Sequence, residues 1–537
     1  MTWMAKLHDT YKRALELDSM DKDKLLPISH TLQNAHINIV IDNAGNFRRA
    51  SVLEKTQIIL PATESSAGRS SGEAPHPLAD KLQYVAKDYA HYGGLKKAYF
   101  NSYEEQLRRW CESSFAHPKV WAVYQYIQKG QVIADLICSK IVYVDANKVL
   151  LTHWLRDETK DHPAPLLFKI LPKEKGILDQ GSALVCWTVE LEGDPDSNTW
   201  TDKSLHQSWI NYEAAQSANK GLCYITGNEV ALAINHPAKI RHTGDKAKLI
   251  SSNDTSGYTY RGKFNTDTES CGIGFDVTQK AHNALRWLIS RQGCRNGDQV
   301  IIAWAVSGKK IPSPLENTYS FLCEDNEEEF EFQHAIDHGK NLGQHFAQKL
   351  KKKLAGYHAQ LGKYETIIVM GLDSATPGRM AITYYREANA EEFFERLESW
   401  HTDFSWPQHY DKTSMQAKNK REKPRAFSPV STPAPKLIAE AAYGVKLQDN
   451  LKKSTIERLI PCIIEKQPFP KDLVDACIHN ASNRRGYEKG EKGRWLKNVS
   501  IACALYKGYC LRNNPGMSET ERRKCEVPVS TCKQEIN

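Results

Sequence analysis

The hydrophobic pattern of this chain changes once along its length, and that change constrains the fold most strongly. In residues 1–406, short runs of alternating apolar residues, such as Ile37, Ile39 and Ile41, are mixed with segments of helical spacing. After a basic, proline-containing stretch at 407–435, every periodic segment is helical. Period-two alternation indicates strands, and a period near 3.6 indicates amphipathic helices. The sequence therefore predicts an α+β protein with a mixed N-terminal domain (1–406), a linker (407–435) and an all-α helical bundle (436–537).

Individual elements follow from the same periodicities and from turn and capping residues. In the N-terminal region the predicted helices are 2–17, 278–291, one that ends near 354, and one capped by Asn389. The predicted strands there are 37–41, 57–60, 222–226, 230–234, 300–306, 365–370 and 380–386, the third and fourth forming a hairpin at Gly227-Asn228. The predicted helices of the bundle are 436–451, 455–466, 471–483 and 494–511.

Charge is distributed as unevenly as secondary structure. The whole chain has 72 Lys and Arg against 64 Asp and Glu, a net charge of +8. From Met415 to Asn537 the counts are 24 and 13, which gives +11 and leaves −3 for residues 1–414. A compact region with such an excess attracts polyanions, of which nucleic acid is the usual one. A basic surface that serves only solubility is the alternative interpretation.

Several classes of protein are disfavoured by the sequence. The longest unbroken apolar run is Val300–Val306, whereas a membrane-spanning helix needs about 20 residues. The N-terminus lacks the apolar core and cleavage site of a secretion signal. The 13 cysteines include no Cys-x-x-Cys pair, which is typical of reduced, buried thiols. We expect a cytoplasmic protein with no membrane partner.

Two glycine-rich segments resemble nucleotide-binding loops but lack essential parts of them. Residues 257–263 fit the phosphate-binding loop until Phe264, which replaces the hydroxyl residue that would meet magnesium, and no apolar strand precedes them. Gly272 and Gly274 lack a third glycine and an upstream strand. Neither segment predicts a nucleotide site.

Other catalytic signals are equally incomplete. His334, Asp337, His338 and His345 are the best metal candidates, because residues four apart share a helix face, but a solvated face with incidental histidines is the better interpretation. The His8-Asp9 pair lacks further ligands, and Ser374 lacks a nucleophile elbow. The sequence predicts no catalytic residues, no metal and no cofactor.

Three segments have the composition of nucleic-acid contacts. The small, polar loop Thr63–Pro77 contains Arg69, Ser70, Ser71 and Gly72. Such a loop fits a minor groove about 6 Å wide and could inspect its base edges. The same composition also suits a flexible connector.

The second segment lies between two predicted bundle helices, where basic residues flank glycines and an aromatic residue. The candidates for phosphate or strand contact are Arg484, Arg485, Lys489, Lys492, Arg494 and Lys497. Arg484 and Arg485 also suit an ordinary helix C-terminus, where cations stabilise the dipole, but the later residues are not explained in that way. The third segment, 372–379, is a turn that presents Arg379 as a contact for nucleic acid or a neighbouring subunit, although simple turn chemistry explains it as well.

Several segments, in this order along the chain, resemble one protein family. They are HINIVIDNAGNF from His36, GRSSGEAPHPL from Gly68, CYITGNEVALAINHPAKI from Cys223, KAHNALRWLISRQG from Lys280, MGLDSATPGRMAITYYRE from Met370 and IPCIIEKQPFPKDLVDACIHN from Ile460. The family is the Csd-type large subunit of the subtype I-C CRISPR surveillance complex, Cascade.

The resemblance implies a non-catalytic subunit of a crRNA-guided, DNA-binding complex. Guide pairing reads the sequence, while the large subunit inspects the protospacer-adjacent motif, helps to open the duplex, holds the opened strands and supports recruitment of a helicase-nuclease. The family's Arg-Thr-Ser-Gly loop falls on Arg69, Ser70, Ser71 and Gly72, with serine in place of threonine at Ser70. The implied partners are crRNA, target double-stranded DNA, and the backbone and crRNA-processing subunits of Cascade.

The family also makes a separate small subunit from an internal start in the same gene. Met415 is the methionine that lies between Met380 and Met517 and would begin a 123-residue helical product. Two other functions stay open from the residues themselves: a stand-alone metal-dependent nuclease or helicase, and a general RNA-binding scaffold.

Overall fold

The computed structural model describes eleven stretches of the chain. They are residues 2–17, 25–69, 72–154, 163–216, 220–242, 244–251, 263–323, 342–376, 378–410, 429–488 and 491–513. The chain divides into two units. The first unit comprises Met1–Trp287 with Thr376–Met380, and the second comprises Leu288–Ala375 with Ala381–Asn537.

The first unit mixes helices with short sheets. Its helices are α1 (Thr2–Glu16), α2 (Glu64–Ala67), α3 (Leu82–Val85), α4 (Phe100–Cys111), α5 (Pro118–Gln128), α6 (Val132–Cys138), α7 (Leu166–Ile170), α8 (Lys203–Gln216), α9 (Asp267–Ser270) and most of α10 (Phe275–Gln292). Its strands are β1 (His30–Asp42), β2 (Phe47–Pro61), β3 (Lys173–Glu174), β4 (Ile177–Leu178), β5 (Val185–Glu190), β6 (Lys220–Leu222) and β7 (Glu229–Ala231).

A three-stranded sheet with the order β2-β1-β5 forms the framework of the first unit. β1 pairs antiparallel with β2 and parallel with β5. Gly45 closes the β1–β2 turn with a φ of 67°, a conformation that favours glycine. The predicted strands 37–41 and 57–60 are confirmed, but each is part of a longer strand. The sequence underestimated their length because both strands continue through polar residues that interrupt the apolar alternation.

The β6–β7 hairpin is shorter than the sequence predicted. Strands were expected over 222–226 and 230–234, yet pairing stops at Leu222 and Ala231. Residues between them turn sharply, because the Cys223 N–H donates to the carbonyl of Asn228 at 2.9 Å. Beyond β7, the Ala233 N–H donates to the carbonyl of Ile273 at 2.9 Å, so the chain has left the hairpin.

The second unit builds a four-stranded sheet covered by helices. Its strands are β8 (Cys294–Asn296), β9 (Gln299–Ala305), β10 (Thr366–Thr376), β11 (Arg379–Asn389), β12 (Trp406–Pro407) and β13 (Val430–Ser431), the hairpin tip at 376–380 belonging to the first unit. Its helices are α11 (Thr318–Cys323), α12 (Leu342–Leu361), α13 (Ala390–Asp403), α14 (Pro435–Tyr443), α15 (Asp449–Ile464), α16 (Lys471–Ser482) and α17 (Lys492–Asn513). The sheet order is β11-β10-β9-β8.

Helix ends in the second unit confirm some predictions and correct others. Asn389 caps α13, accepting from the Glu392 N–H at 2.7 Å, as predicted. The helix expected to end near Leu354 continues to Leu361, because good helix formers extend it as far as Gly362, which has a φ of 84°. The single helix predicted over 436–451 is two helices, since Gly444, with a φ of 90°, ends α14.

The C-terminal helices share one hydrophobic core with the sheet and with α13. Buried residues of that core include Ile438, Leu459 and Leu505 from the helices and Phe393 and Trp400 from α13. The presence of strands with helices, followed by a helical C-terminal region, confirms the α+β class. The domain limits 1–406, 407–435 and 436–537 stay a prediction, and residues 411–428 of the linker lie outside the described residues.

No helix within the described part of the chain combines the length and the apolar character needed to cross a membrane.

Candidate nucleic-acid interface

A buried carboxylate, Asp80, occupies a fixed position beside the first sheet. The carbonyl of Asp80 accepts from the Val185 N–H at 2.9 Å, and the Leu82 N–H donates to the carbonyl of Ala183 at 3.0 Å. Two buried side chains, Tyr103 and Trp187, donate to the carbonyl of Leu78 at 2.6 and 2.8 Å. These bonds tie the segment around Asp80 to the core of the first unit.

Arg69, the first residue of the predicted motif-reading set, pairs with Asp80. Its Nη2 lies 2.7 Å from Oδ1 and its Nη1 lies 2.8 Å from Oδ2, while Nη1 also donates to the carbonyl of Ala74 at 2.7 Å. The two side chains are 7% and 0% exposed. The guanidinium lies 4.2 Å from the ring centroid of Tyr84. Burial opposes the charge of Arg69, but the hydrogen bonds and charge of Asp80 outweigh it and raise the Arg69 pKa.

The remaining lone pairs of Asp80 are also used. The backbone N–H of His76 donates to Oδ2 at 2.7 Å, and that of Lys81 donates to Oδ1 at 2.8 Å. A buried charge is tolerated when it is paired and fully hydrogen-bonded. Asp80 therefore fixes both the Arg69 side chain and the backbone at His76.

Gly72 fixes the other end of the candidate loop. Its φ of 94° lies where glycine is favoured, and its carbonyl accepts from the Tyr84 hydroxyl at 2.6 Å. Ser70 and Ser71 lie outside the described residues. They are bounded by Arg69 on one side and Gly72 on the other, both held by the protein. The motif-reading role of the four residues stays a prediction, in which the guanidinium of Arg69 holds the loop.

Arg379 is connected through Lys248 to a cavity beside the segment that precedes this loop. It is exposed, begins β11, and belongs to the first unit. The flanking residues pair with Lys248: its N–H donates to the carbonyl of Gly378 at 3.2 Å, and the Met380 N–H donates to its carbonyl at 3.0 Å. Lys248 in turn lines a cavity whose wall includes Gly68. Two of the three segments selected from the sequence are thus linked through Lys248 in the first unit.

The third segment forms a corner of the second unit, which we call the basic corner (residues 484–488 and 491–497). α16 ends at Ser482, and a short 3-10 turn, Arg484–Gly486, leads towards α17. Two aromatic side chains fix this connection: Tyr487 donates to the carbonyl of Asn480 at 3.2 Å, and Trp495 donates to that of Ala481 at 2.9 Å.

Basic side chains of the basic corner differ in how they are held. Arg484 lies 4.8 Å from the Trp495 ring centroid. Arg494 lies 5.5 Å from that of Tyr487 and pairs with Glu491 at 2.6 Å. The exposed cations of the corner are Arg484, Arg485, Lys492 and Arg494, whereas Lys497 is half-buried. Lys489 lies outside the described residues. Cations that lie beyond the end of α16 and face solvent fit contact with phosphates, and this role stays a prediction.

The segments with incomplete catalytic signals, where the structure describes them, contribute to packing and to a strand. The Gly274 N–H donates to the sulfur of Cys223 at 3.2 Å, and a Cβ at Gly274 would lie 2.8 Å from Val230, so this glycine allows close packing of the β6–β7 hairpin. Ser374 lies within β10. Residues 257–262 and the candidates His334, Asp337 and His338 lie outside the described residues.

Within the described stretches, no group of three or more His, Cys, Asp and Glu side chains is placed to hold a metal ion. His8 and Asp9 approach to 3.6 Å, and burial of His8 lowers its pKa.

Residues that sequence reasoning missed are those that organise the site. Asp80 follows Arg69 by eleven residues with no repeating pattern, and Lys248 stands in a loop-rich stretch without periodicity. Arg286 is a charged residue next to the apolar stripe of α10 and lines the same cavity as Lys248. The position of Arg286 at the border of the apolar stripe was the one feature of the sequence that could have indicated a half-buried charge at this site.

The comparison with protein families gives a match over almost the whole chain. The model described as CRISPR-associated protein (Cas_Csd1) matches residues 7–536. No curated protein matches the chain significantly. The family match confirms the resemblance drawn from the sequence motifs, and it spans both units of the structure. The chain belongs to the Csd1 family of CRISPR-associated proteins.

Proposed function

We propose that this protein is the non-catalytic large subunit of a crRNA-guided DNA surveillance complex of subtype I-C. Its first unit recognises the protospacer-adjacent motif, and the protein helps to unwind the duplex and hold the opened DNA. The observation that carries the proposal is the anchoring of the loop: Arg69 is tied to Asp80 and Gly72 to Tyr84, so the two described residues that bound the loop are held in place. A rigid support favours recognition of a groove, because little ordering entropy is lost on binding.

Arg379 supports the same assignment. The turn that carries it is joined through backbone pairing to Lys248, which lines the cavity beside Gly68. An exposed guanidinium near a small polar loop suits the combination of base-edge inspection and phosphate contact that orients proteins on DNA. In this proposal Arg379 contacts nucleic acid or the neighbouring subunit that delivers it.

The basic corner supplies the strand-holding part of the proposal. Six basic residues contact the sugar-phosphate backbone of the opened DNA in this proposal: Arg484, Arg485, Lys489, Lys492, Arg494 and Lys497. The +11 charge of residues 415–537 supports this role. The partners in this proposal are crRNA, the target duplex, the backbone and crRNA-processing subunits, the small subunit and the recruited helicase-nuclease.

The test uses the full chain assembled with its guide RNA and the other subunits. Binding is measured on duplexes that carry the guide match beside different flanking sequences. We expect flank-dependent affinity, and we expect Arg69→Ala and Ser71→Ala to weaken that dependence. If both variants discriminate between flanks as the wild type does, the loop is not the motif reader. The chain incubated alone with divalent ions and DNA provides the test for a nuclease, which would cleave its substrate.

A separately translated C-terminal product is a further part of the proposal. Translation from Met415 yields helices α14–α17, whose buried residues in the full chain, including Ile438 and Leu505, pack in one core with Phe393 and Trp400. The isolated product lacks that cover and would need another apolar surface, which supports its packing along other subunits. A Met415→Leu change should abolish the short product, and its persistence would exclude this start.

A further inference from the structure

A cavity beside the anchored loop is lined by polar and charged groups. Its volume is about 140 Å³. It lies between the segment Glu64–Gly68, residues 235–238 and side chains from α10. Its polar and charged lining residues include Glu64, Asn235, Lys248, Gln279 and Arg286. All of these residues belong to the first unit.

The lining of this cavity has a positive balance. Lys248 and Arg286 contribute two cations against the single carboxylate of Glu64. Glu64 accepts from the backbone N–H of Asn235, another residue of the lining, and its charge also acts on Lys248, so one net positive charge remains. Burial lowers the pKa of two lining histidines, His30 to about 3 and His236 to about 4, so both are neutral at pH 7.

Two more cations surround the cavity lining. Lys81 and Lys239 are half-buried, and neither they nor Lys248 makes an ion pair with any carboxylate in the described stretches. The pKa of Lys239 is lowered by burial and then by the charges of Arg286, Arg69 and Lys81. Burial also lowers the pKa values of Lys81 and Lys248. Glu64 lies near enough to act on Lys248, and Asp80 and Asp179 act on Lys81, but no described carboxylate acts on Lys239. Half-buried cations that carry such an excess of positive charge are costly, and an anion in the cavity would reduce that cost.

The guanidinium of Arg286 is held in a fixed orientation by hydrogen bonds. Its Nε donates to the carbonyl of Lys239 at 2.9 Å, and its Nη1 donates to the Asn283 side chain at 2.7 Å. The guanidinium is therefore fixed without a carboxylate partner. Asn235 and Gln279 bring amide groups to the same cavity. Fixed cations beside neutral donors are what a phosphate with several acceptor oxygens requires.

We propose that this cavity binds one backbone phosphate of the target duplex next to the protospacer-adjacent motif, with Lys248 and Arg286 as its principal ligands. The inference rests on the proposed function, because it takes the loop at Arg69–Gly72 as the motif reader. The volume accommodates a phosphate group with ordered water, each water taking about 30 Å³. The site fixes the register of the DNA on the loop and carries no base information itself.

The position of the cavity favours DNA as the source of the phosphate. Gly68 in its wall directly precedes Arg69, and Lys248 pairs with the backbone on both sides of Arg379. A duplex whose groove meets the loop would therefore carry its own backbone past this site. A crRNA phosphate is the other source, and the experiment separates the two.

The experiment compares Lys248→Gln with Lys246→Gln in the full chain, assembled with guide RNA and the other subunits. Lys246 is exposed, lies two residues away and does not line the cavity, so it is the matched control. Affinity for target duplexes is measured over a range of salt concentrations and on several flanks. A single duplex phosphate contact contributes a log-log salt slope of about −0.9, which corresponds to about fivefold in affinity near 0.15 M salt.

We expect Lys248→Gln to bind every flank about fivefold more weakly and to leave the affinity ratio between flanks unchanged. The slope of log affinity against log salt concentration should become less steep by about 0.9. A neutral methylphosphonate at one flanking position should weaken the wild type more than it weakens Lys248→Gln, which retains only Arg286 as a principal ligand. Lys239→Gln, which leaves the cavity lining intact, should give a smaller loss in the same direction.

Three results would overturn the inference. One is a salt slope for Lys248→Gln equal to that of the control. Another is a methylphosphonate scan of the flank with no position sensitive to Lys248. The third is loss of guide RNA from the assembly with normal DNA binding, which would assign the site to crRNA. The proposed function fails by a different result, namely a wild-type complex that binds all flanks equally.

Discussion

The guanidinium of Arg69 and the carboxylate of Asp80 form two parallel hydrogen bonds, at 2.7 and 2.8 Å, inside the first unit. Both side chains are buried, and the carboxylate also accepts from two backbone N–H groups. This pair joins the start of a small polar loop to a segment that is itself bonded to the sheet. Arg69 was selected from the sequence as a residue that contacts the DNA motif. In the structure its side chain instead supports the loop that is proposed to recognise that motif.

Removing either partner of this pair should destabilise the protein. Arg69→Ala or Asp80→Ala leaves an uncompensated buried charge, which costs about 3 kcal/mol in the free energy of unfolding. The double variant should cost less than the sum of the single ones, because neither charge is then left alone. Chemical denaturation of the full chain measures all three, and Arg49→Ala, which breaks the exposed pair with Glu190, serves as the control with a small effect.

The same pair separates a positioning role from direct contact with DNA. Asp80 is fully buried and is therefore out of reach of a bound duplex. If Arg69 acts by positioning, Asp80→Asn should reduce discrimination between flanking sequences as strongly as Arg69→Lys does. Binding ratios on two flanks measure this. A complex that keeps full discrimination with Asp80→Asn and loses it with Arg69→Lys would assign direct contact to Arg69.

Acid should weaken the support of the loop through His76. This residue is 2% exposed, its Nδ1 lies 2.9 Å from the Ser66 hydroxyl, and burial lowers its pKa to about 4. The unfolded chain binds the proton near pH 6.5, so the stability contributed by neutral His76 is complete above that pH and is lost as the pH falls towards 4. At pH 5 the loss is about 2 kcal/mol.

Melting curves of His76→Gln and wild type test this pH dependence. The glutamine variant should be less stable than the wild type at pH 7.5, and the difference should shrink at pH 5, because glutamine does not titrate. The exposed His91→Gln serves as the control and should follow the wild type at both values. A constant difference between His76→Gln and wild type would contradict the assigned protonation of His76.

Salt dependence should identify the phosphate contacts of the basic corner. Arg485 and Lys492 are exposed and make no ion pair within the described residues, so replacing them leaves the packing of the corner intact. In the double variant Arg485→Gln/Lys492→Gln, the slope of log affinity against log salt concentration should become less steep by up to about 1.8 on duplex DNA, or about 1.4 on a single strand. Lys446→Gln, also exposed and basic, is the control. Equal slopes for the double variant and the wild type would remove both residues from the interface.

Packing of α17 on α13 can be tested with a pair of glycines. A Cβ at Gly508 would lie 2.2 Å from the ring of Phe404, whereas one at Gly356 on α12 meets nothing within 4 Å. Gly508→Ala should therefore destabilise the protein by about 1–3 kcal/mol through overpacking. Gly356→Ala should stabilise it by up to about 1 kcal/mol through helix propensity. Thermal unfolding measures both, and an unchanged melting temperature for Gly508→Ala would mean that α17 does not pack against Phe404.

Local patterns predicted the elements of this fold better than its long-range contacts. The alternation at Ile37–Ile41 and the cap at Asn389 depend on neighbours within a few residues, and both predictions are confirmed. Polar residues within β1 and β2 concealed their full length. A glycine with a positive φ divided the helix expected over 436–451, which helical periodicity alone does not reveal.

The candidate interface was only partly accessible to the same reasoning. Composition selected Arg69 and Arg379, yet the link between their segments through Lys248 depends on a loop without periodicity and on backbone pairing between distant segments. The role of Arg69 depends on Asp80, whose burial follows from tertiary structure and not from its neighbours. Sequence therefore indicates which residues are able to contact nucleic acid, whereas the fold determines which of them are held inside.

We propose that this protein inspects the DNA beside the guide match and leaves strand cleavage to another protein. The most direct measurement is selection from a duplex library with a fixed guide match and a randomised flank, using the complete complex without the helicase-nuclease. We expect enrichment of particular bases at the flank, recovery of intact DNA, and loss of the enrichment with Asp80→Asn. A flank without base preference, or DNA cleaved by the complex itself, would contradict it.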